Sequence, residues 1–327
     1  MPVGNVTNAV VTNLTSGATY YFVVTARNLA GLESLPSNEV SYSVPSNPPG
    51  GTDPSPVLTV PASIAATVNT ATPVSGVSVA DAAVGAGNIT LNFSANRGIL
   101  TVLVNVASGV TSGQILGNNS GNVFLTAPLT ALNATLSAPN GVTYTGNLNL
   151  VGSDNLTVSA SDNGSTGSGS TNSASQQVPI TVTGAAIDTW RNQNFSASSL
   201  SDPAQEATVW GDLADPDQDG VNNLLEYALH SNPNSRESIS ASIFTGMLIT
   251  NAVQYQTLSF KRLKNEPSLQ YVPEVSGDKS TWAFGTNTVR LLNITNIDAT
   301  MEWAVFQDLT PVAPGNARFM RLRVIRN

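Results

Sequence analysis

Apolar and polar positions alternate along short runs of this chain, the period of half-buried strands rather than helices. Tyr20, Phe22, Val24 and Ala26 interleave with Tyr21, Val23 and Thr25, and Val40, Tyr42 and Val44 repeat the pattern after the turn "NLAG". From 57 to 184, "VLTVP", "VSGVSVAD", "NITLNFSA", "GILTVLV", "VFLTAP", "NATLSA", "NLTVSASD" and "QVPITVTG" each predict a strand. Turn residues at 96–98, 118–121, 139–141 and 162–164 separate several of them. Around 185 the period lengthens. Asp202 can N-cap a turn with Pro203 first and Gln205 three residues on. In "NNLLEYALH", Leu224, Leu225, Ala228 and Leu229 share one helical face. From about 238 strands return in "SISASIF", "QTLSFKRL", "LQYVPEVSG", "TWAF", "MEWAVFQ" and "ARFMRLRVI".

These elements predict a mainly β chain of tandem antiparallel β-sandwich modules, with a short helical insert between the second and third. The expected divisions are 1–45, a Pro/Gly linker over 46–56, a sandwich over 57–184, the helical segment 185–235 and a final β module over 236–327. "NGSTGSGSTNSAS" is low in complexity and is expected at a hairpin tip.

Leu14, Gly17, Tyr20 at a tyrosine-corner position and "NLAGLESLPSNEV" together resemble the last half of a fibronectin type III domain. Half a sandwich leaves its inner face uncovered. The expectation is therefore that the chain is the tail of a longer polypeptide, with a secretion signal upstream. Residues 57–184 resemble the cadherin-like and immunoglobulin-like repeats of large bacterial surface proteins, through "VSGVSVADA", "GNITLNFSANRGILTV", "LTALNATLSAPNGVTYTG", "GSDNLTVSASDNGSTGSGS" and "VPITVTG". Residues 185–327 resemble a C-terminal module of large secreted verrucomicrobial and planctomycete-type proteins, through "WGDLADPDQDGVNNLLEYAL", "LSFKRLKNEPSLQYVPEVSGDKSTW" and "RFMRLRV". These resemblances imply an extracellular or cell-surface location.

Charge narrows the partners. The net charge is −8, and Arg27 and Arg97 are the only basic residues before 185. Nucleic acid is not an expected partner, since phosphate binding needs clustered Lys and Arg. In "RFMRLRVIR", Arg318, Arg321, Arg323 and Arg326 are expected along a solvated strand edge. The absence of cysteine excludes disulfides and thiolate chemistry. No segment approaches the roughly 18 apolar residues of a membrane span.

The chemistry concentrates in "ADPDQDGVNNLLEYALH". With Asp215 at position 1 of a twelve-residue calcium loop, Asp217 and Asp219 stand at 3 and 5 and Gly220 at the sharp turn. Val221 offers its carbonyl at 7, Asn223 stands at 9, and Glu226 at 12 has two oxygens to give. Ca2+ is a hard cation requiring about 6–8 oxygens, which this spacing supplies. An acidic capped turn and a pair of catalytic carboxylates are the competing readings. Asn222 holds the position where paired loops carry an aliphatic residue, and no second loop is visible, so a single structural ion is expected rather than a sensor.

Asp81, Asp154, Asp162 and Asn163 are expected as turn and cap residues. Trp190, Trp210, Trp282 and Trp303 are expected as core or interface anchors. His230 follows a helix, and no nucleophile motif accompanies it. The function expected is non-catalytic: adhesion, spacing or display, with other surface proteins or polysaccharides as partners. The alternatives are an ancillary region of a secreted polysaccharide-degrading hydrolase and a dockerin-like docking module.

Overall fold

The computed structural model describes residues 6, 8–15, 17–44, 54–85, 87–164 and 171–327. Most of the 46–56 linker and part of the low-complexity tip therefore lie outside the described residues. The fold is mainly β, with several antiparallel sheets and a few short helices.

The first unit is a hairpin of Thr19–Phe22 and Val40–Ser43, in the register Tyr20↔Tyr42 and Phe22↔Val40. The Tyr20 hydroxyl accepts a hydrogen bond from the Thr15 N–H at 2.8 Å. Tyr21, Val24, Val40 and Tyr42 stay in solvent, while Tyr20 and Phe22 are half-buried.

The central block places Ile64–Thr67, Ser173–Thr183, Gly152–Ser161, Asn88–Ala95, Asn122–Pro128 and Ile115–Leu116 side by side in one sheet. A smaller sheet holds Thr72–Pro73, Val142–Gly146 and Gly98–Val102. Strict alternation in Asn88–Ala95 sends Ile89, Leu91, Phe93 and Ala95 inward. They meet Leu100, Val142 and Tyr144 of the smaller sheet in one core. Each fully buried side chain of this size contributes about 1.5–3 kcal/mol. The antiparallel expectation has one exception, since Ile64–Thr67 runs parallel to Ser173–Thr183.

One predicted strand is a helix, and most of another, "SISASIF", is a 3₁₀ turn at Ile239–Ala241, with its strand beginning only at Ile243. "NATLSA" belongs to α1, Leu129–Ser137. Leu132, Thr135 and Leu136 are the buried face, at helical spacing. Asn133 fixes the helix across the fold, donating to the Val79 carbonyl at 2.7 Å and accepting from the Val79 N–H at 3.1 Å. The strands Ile64–Thr67, Thr72–Pro73, Ile115–Leu116, Val142–Gly146 and Val289–Asn296 add to those read from the sequence.

Helices α2 (Ala186–Asn194), α3 (Ala197–Leu200) and α4 (Asn223–Leu229) follow. Ile187, Trp190, Phe195, Leu200, Trp210, Tyr227 and Ala228 share a core with Leu150 and Leu269. The final β block packs Ile243–Thr250, Val253–Leu263, Met301–Pro311 and Val289–Asn296 in one sheet. Ala283–Phe284, Leu269–Ser276 and Phe319–Arg326 form the other. Leu258, Phe260, Val275, Val289, Ala304 and Met320 fill the space between them, joined by Leu229 of α4. Helix α4 is thus a seam: Tyr227 and Ala228 face the helical core and Leu229 the β core. The Tyr271 hydroxyl donates to the Ala228 carbonyl at 2.8 Å, and the Tyr227 hydroxyl donates to Glu266 at 2.8 Å. No helix among the described residues is long and apolar enough to cross a membrane.

Candidate metal centre

The acidic loop is held at its neck by backbone. The Asn223 N–H donates to the Ala214 carbonyl and the Leu224 N–H to the Asp212 carbonyl, both at 2.9 Å. Just upstream, residues 206–210 make a wide turn in which the Gly211 N–H reaches the Glu206 carbonyl. Between these anchors the chain reverses through two left-handed residues, Gln218 at φ 60° and Gly220 at φ 89°. Open space surrounds the Gly220 Cα, so glycine is favoured there by conformation alone.

The loop points its own N–H groups at its own acids. Asp219 N–H donates to Asp215 Oδ1 and Asp217 Oδ1, both at 3.2 Å. Gly220 N–H donates to Asp215 Oδ2 at 3.0 Å, and Val221 N–H to Asp219 Oδ1 at 2.8 Å. Asn222 then caps α4, its Oδ1 accepting from the Leu225 N–H at 3.0 Å. Capping accounts for a polar residue at this position. Glu226, in the first turn of α4, is rigidly carried because that helix is packed on two sides.

Asp215, Asp217 and Asp219 each place a carboxylate oxygen within 4.8 Å of the other two. Oxygens around one calcium stand about 5 Å apart or less, twice the roughly 2.3–2.6 Å bond. Glu226 stands beside this trio rather than within it, and it is only 1 % exposed. Its Oε2 and the Oδ2 of Asp217 are buried without a hydrogen-bond partner. Burial first, then the charges of Asp217, Asp219, Asp215 and Glu237, push the Glu226 carboxyl up to about 8. Asp217 is also raised, by burial and then by its acidic neighbours, against the lowering effect of the Asp219 N–H. All these donors are oxygens. A hard dication would partner the two orphaned atoms and reverse the repulsion, so the residues fit calcium.

Two further predicted members, Asn223 and Val221, help to fix the loop in place. Asn223 spends its amide hydrogens on the carbonyls of Val209 and Gly211, both at 2.8 Å, while its Oδ1 is buried and unpartnered. Val221 is buried through its side chain and turns the chain into α4. Two residues absent from the sequence reading close over the loop. Arg236 donates to the Asp217 carbonyl, and the Glu237 N–H donates to Asp219 Oδ2 at 3.3 Å.

The C-terminal arginines lie on or beside an edge strand, as expected, and they are also paired with acids. Arg321 and Arg323 each reach buried Glu274 at 2.7 Å, while Arg318 pairs with Asp308 and Arg326 with Asp212. Arg321 lies over the Trp282 ring at 4.1 Å. Their partners lie on distant segments, which residue spacing cannot reveal. Trp190 and Trp210 are buried core residues, whereas Trp282 and Trp303 are half-buried. Asp154 accepts from Arg97 N–H and the Tyr144 hydroxyl, Asp81 from Ala83 and Val84, and Asp162 from Gly164. His230 ends α4 in the left-handed region at φ 58°.

No family model and no curated protein matches the chain. Among solved structures, a chaperone–tip adhesion subunit pre-assembly complex from the archaic chaperone-usher Csu pili of Acinetobacter baumannii is 12 % identical. It covers 82 % of this chain and 100 % of its own, at a TM-score of 0.19, and carries no argument about fold or function.

Proposed function

We propose that the chain is a non-catalytic segment of a modular secreted or cell-surface protein, serving adhesion, spacing or display, with one structural calcium at 215–226. The observation that carries this reading is the trio Asp215, Asp217 and Asp219 beside the buried, unpartnered Glu226 oxygen. Calcium would be held by these acids, the Val221 carbonyl and the unpartnered Asn223 Oδ1, with the Asn223 amide hydrogens bracing the loop against 209–211. Its role would be to neutralise the acids and fix α4, and through α4 both cores of residues 185–327.

The fibronectin-like reading of the N-terminal segment is supported by the Tyr20–Thr15 bond and the exposed apolar hairpin face. A surface with such modules would meet other surface proteins or polysaccharides.

Thermal unfolding of the full chain tests the calcium role. At a hundredfold excess over Kd, a ligand binding only the folded state adds about 2.7 kcal/mol. For a block of this size that is a rise of about 5–10 °C in melting temperature. The rise is expected in calcium and absent in Asp219→Ala. Identical melting curves in saturating calcium and in chelator would sink the proposal.

A further inference from the structure

Three strands of eight residues lie at the edges of the two C-terminal sheets, and two of them are guarded against pairing with another chain. Val289–Asn296 carries Arg290 and a register break between Leu291 and Asn293. Phe319–Arg326 carries Arg321, Arg323 and Arg326. Charges and bulges are the usual protection of such edges. The third, Ile243–Thr250 ("IFTGMLIT"), has neither charge, proline nor bulge, and it pairs in unbroken register with Val253–Leu263.

Its free hydrogen-bonding groups follow from that register. The Lys261 N–H bonds to the Ser242 carbonyl, and Thr250↔Val253 closes the two-residue turn. Even-numbered residues therefore bond to the neighbouring strand. The N–H and C=O groups of Ile243, Thr245, Met247 and Ile249 face outward. Phe244, Met247 and Ile249 are also about half exposed or more.

We propose that Ile243–Thr250 is a self-association edge, at which two copies of this chain pair these strands antiparallel about a two-fold axis at Gly246. The centre of symmetry is set by the outward groups. A two-fold at Gly246 places Ile243 opposite Ile249 and Thr245 opposite Met247, all four with free backbone groups. These pairs form about eight backbone hydrogen bonds across the join. Phe244 meets Leu248, and no charge opposes another anywhere along the strand. An identical uncharged strand is thus a complementary partner, in the isologous arrangement that two-fold dimers use. Each four-stranded sheet continues into its twin. This inference is independent of the calcium reading, because the strand shares no residue with the loop.

The absence of cysteine gives a direct test. At the axis, Gly246 faces its twin as a non-hydrogen-bonded pair about 4.5 Å apart, inside the roughly 4.4–6.8 Å that a disulfide spans. A side chain added there has only the Thr257 hydroxyl, 3.0 Å away, to displace. The full chain should be dimeric by light scattering at high concentration, and Gly246→Cys should cross-link to a covalent dimer under mild oxidation. Thr245→Lys/Met247→Lys, which opposes lysines twice across the axis at exposed positions, should be monomeric with unchanged circular dichroism and melting temperature. A wild-type monomer at every concentration, with Gly246→Cys uncross-linked, would overturn the proposal. So would a dimer that survives the lysine pair, which would place association elsewhere, such as on the apolar face of the N-terminal hairpin.

Discussion

Glu226→Gln should change sign with calcium. The Glu226 carboxyl is pushed up to about 8 in the folded chain, from its ordinary 4.5. Its contribution to stability is present below about pH 4.5 and is lost as pH rises through 8, because folding then forces a proton onto the group or leaves a buried charge. At pH 7 the full shift corresponds to about 3 kcal/mol of destabilisation. Solvent around the half-exposed aspartates screens part of this, leaving about 1–3 kcal/mol. Glutamine keeps the shape, loses the charge and offers hydrogen atoms to the neighbouring acids. In chelator, Glu226→Gln should therefore stabilise the chain by that amount and flatten the decline in stability between pH 5 and 8. In saturating calcium the same substitution should destabilise it, because the ion loses a ligand. Urea unfolding followed by tryptophan fluorescence is a selective assay, since Trp190, Trp210, Trp282 and Trp303 all lie beyond residue 185. A variant less stable than wild type in both conditions would refute the reasoning, since Glu226 would then be a well-satisfied core residue.

Other expectations follow from single contacts. Asn251 and Ala252 form a two-residue hairpin turn at φ 52° and 64°, where a Cβ costs about 1 kcal/mol. Ala252→Gly should thus raise stability by up to that much in urea titration. Burial would raise the Glu274 carboxyl, but hydrogen bonds from Arg321 and Arg323 outweigh it and hold the group below its usual range. Its stabilising contribution is present above about pH 4.5 and fades as pH falls through the lower folded value. Glu274→Gln should lower stability at pH 7 and reduce its acid dependence in denaturation curves. Asn133→Ala removes both bonds to Val79 and should cost about 1–3 kcal/mol, seen as a lower melting temperature for the central block.

The strands were legible because alternation is local: "NITLNFSA" states its buried face residue by residue. "NATLSA" misled for the same reason, since a short apolar alternation does not separate a strand from a helix whose face is Leu132, Thr135 and Leu136. What decides it is Asn133 meeting Val79, a contact spanning 54 residues. The acid loop was legible because its candidate ligands lie within one stretch of chain. Asn223 fits the ligand spacing, but the bonds of its amide hydrogens to 209–211 were not legible, because the wide turn there has no sequence signature. Arg236 and Glu237 close the loop from the far side of α4, and the arginine partners Glu274, Asp308 and Asp212 lie equally far off. Long-range pairing of charges is the part that spacing does not encode.

Calcium stoichiometry tests the central claim most directly. Titration calorimetry of the metal-free chain against calcium should give one site, lost in Asp219→Ala and in Glu226→Gln while circular dichroism is unchanged. Absence of binding by the wild-type chain, or one site retained at full affinity in both variants, would contradict a structural ion in the 215–226 loop.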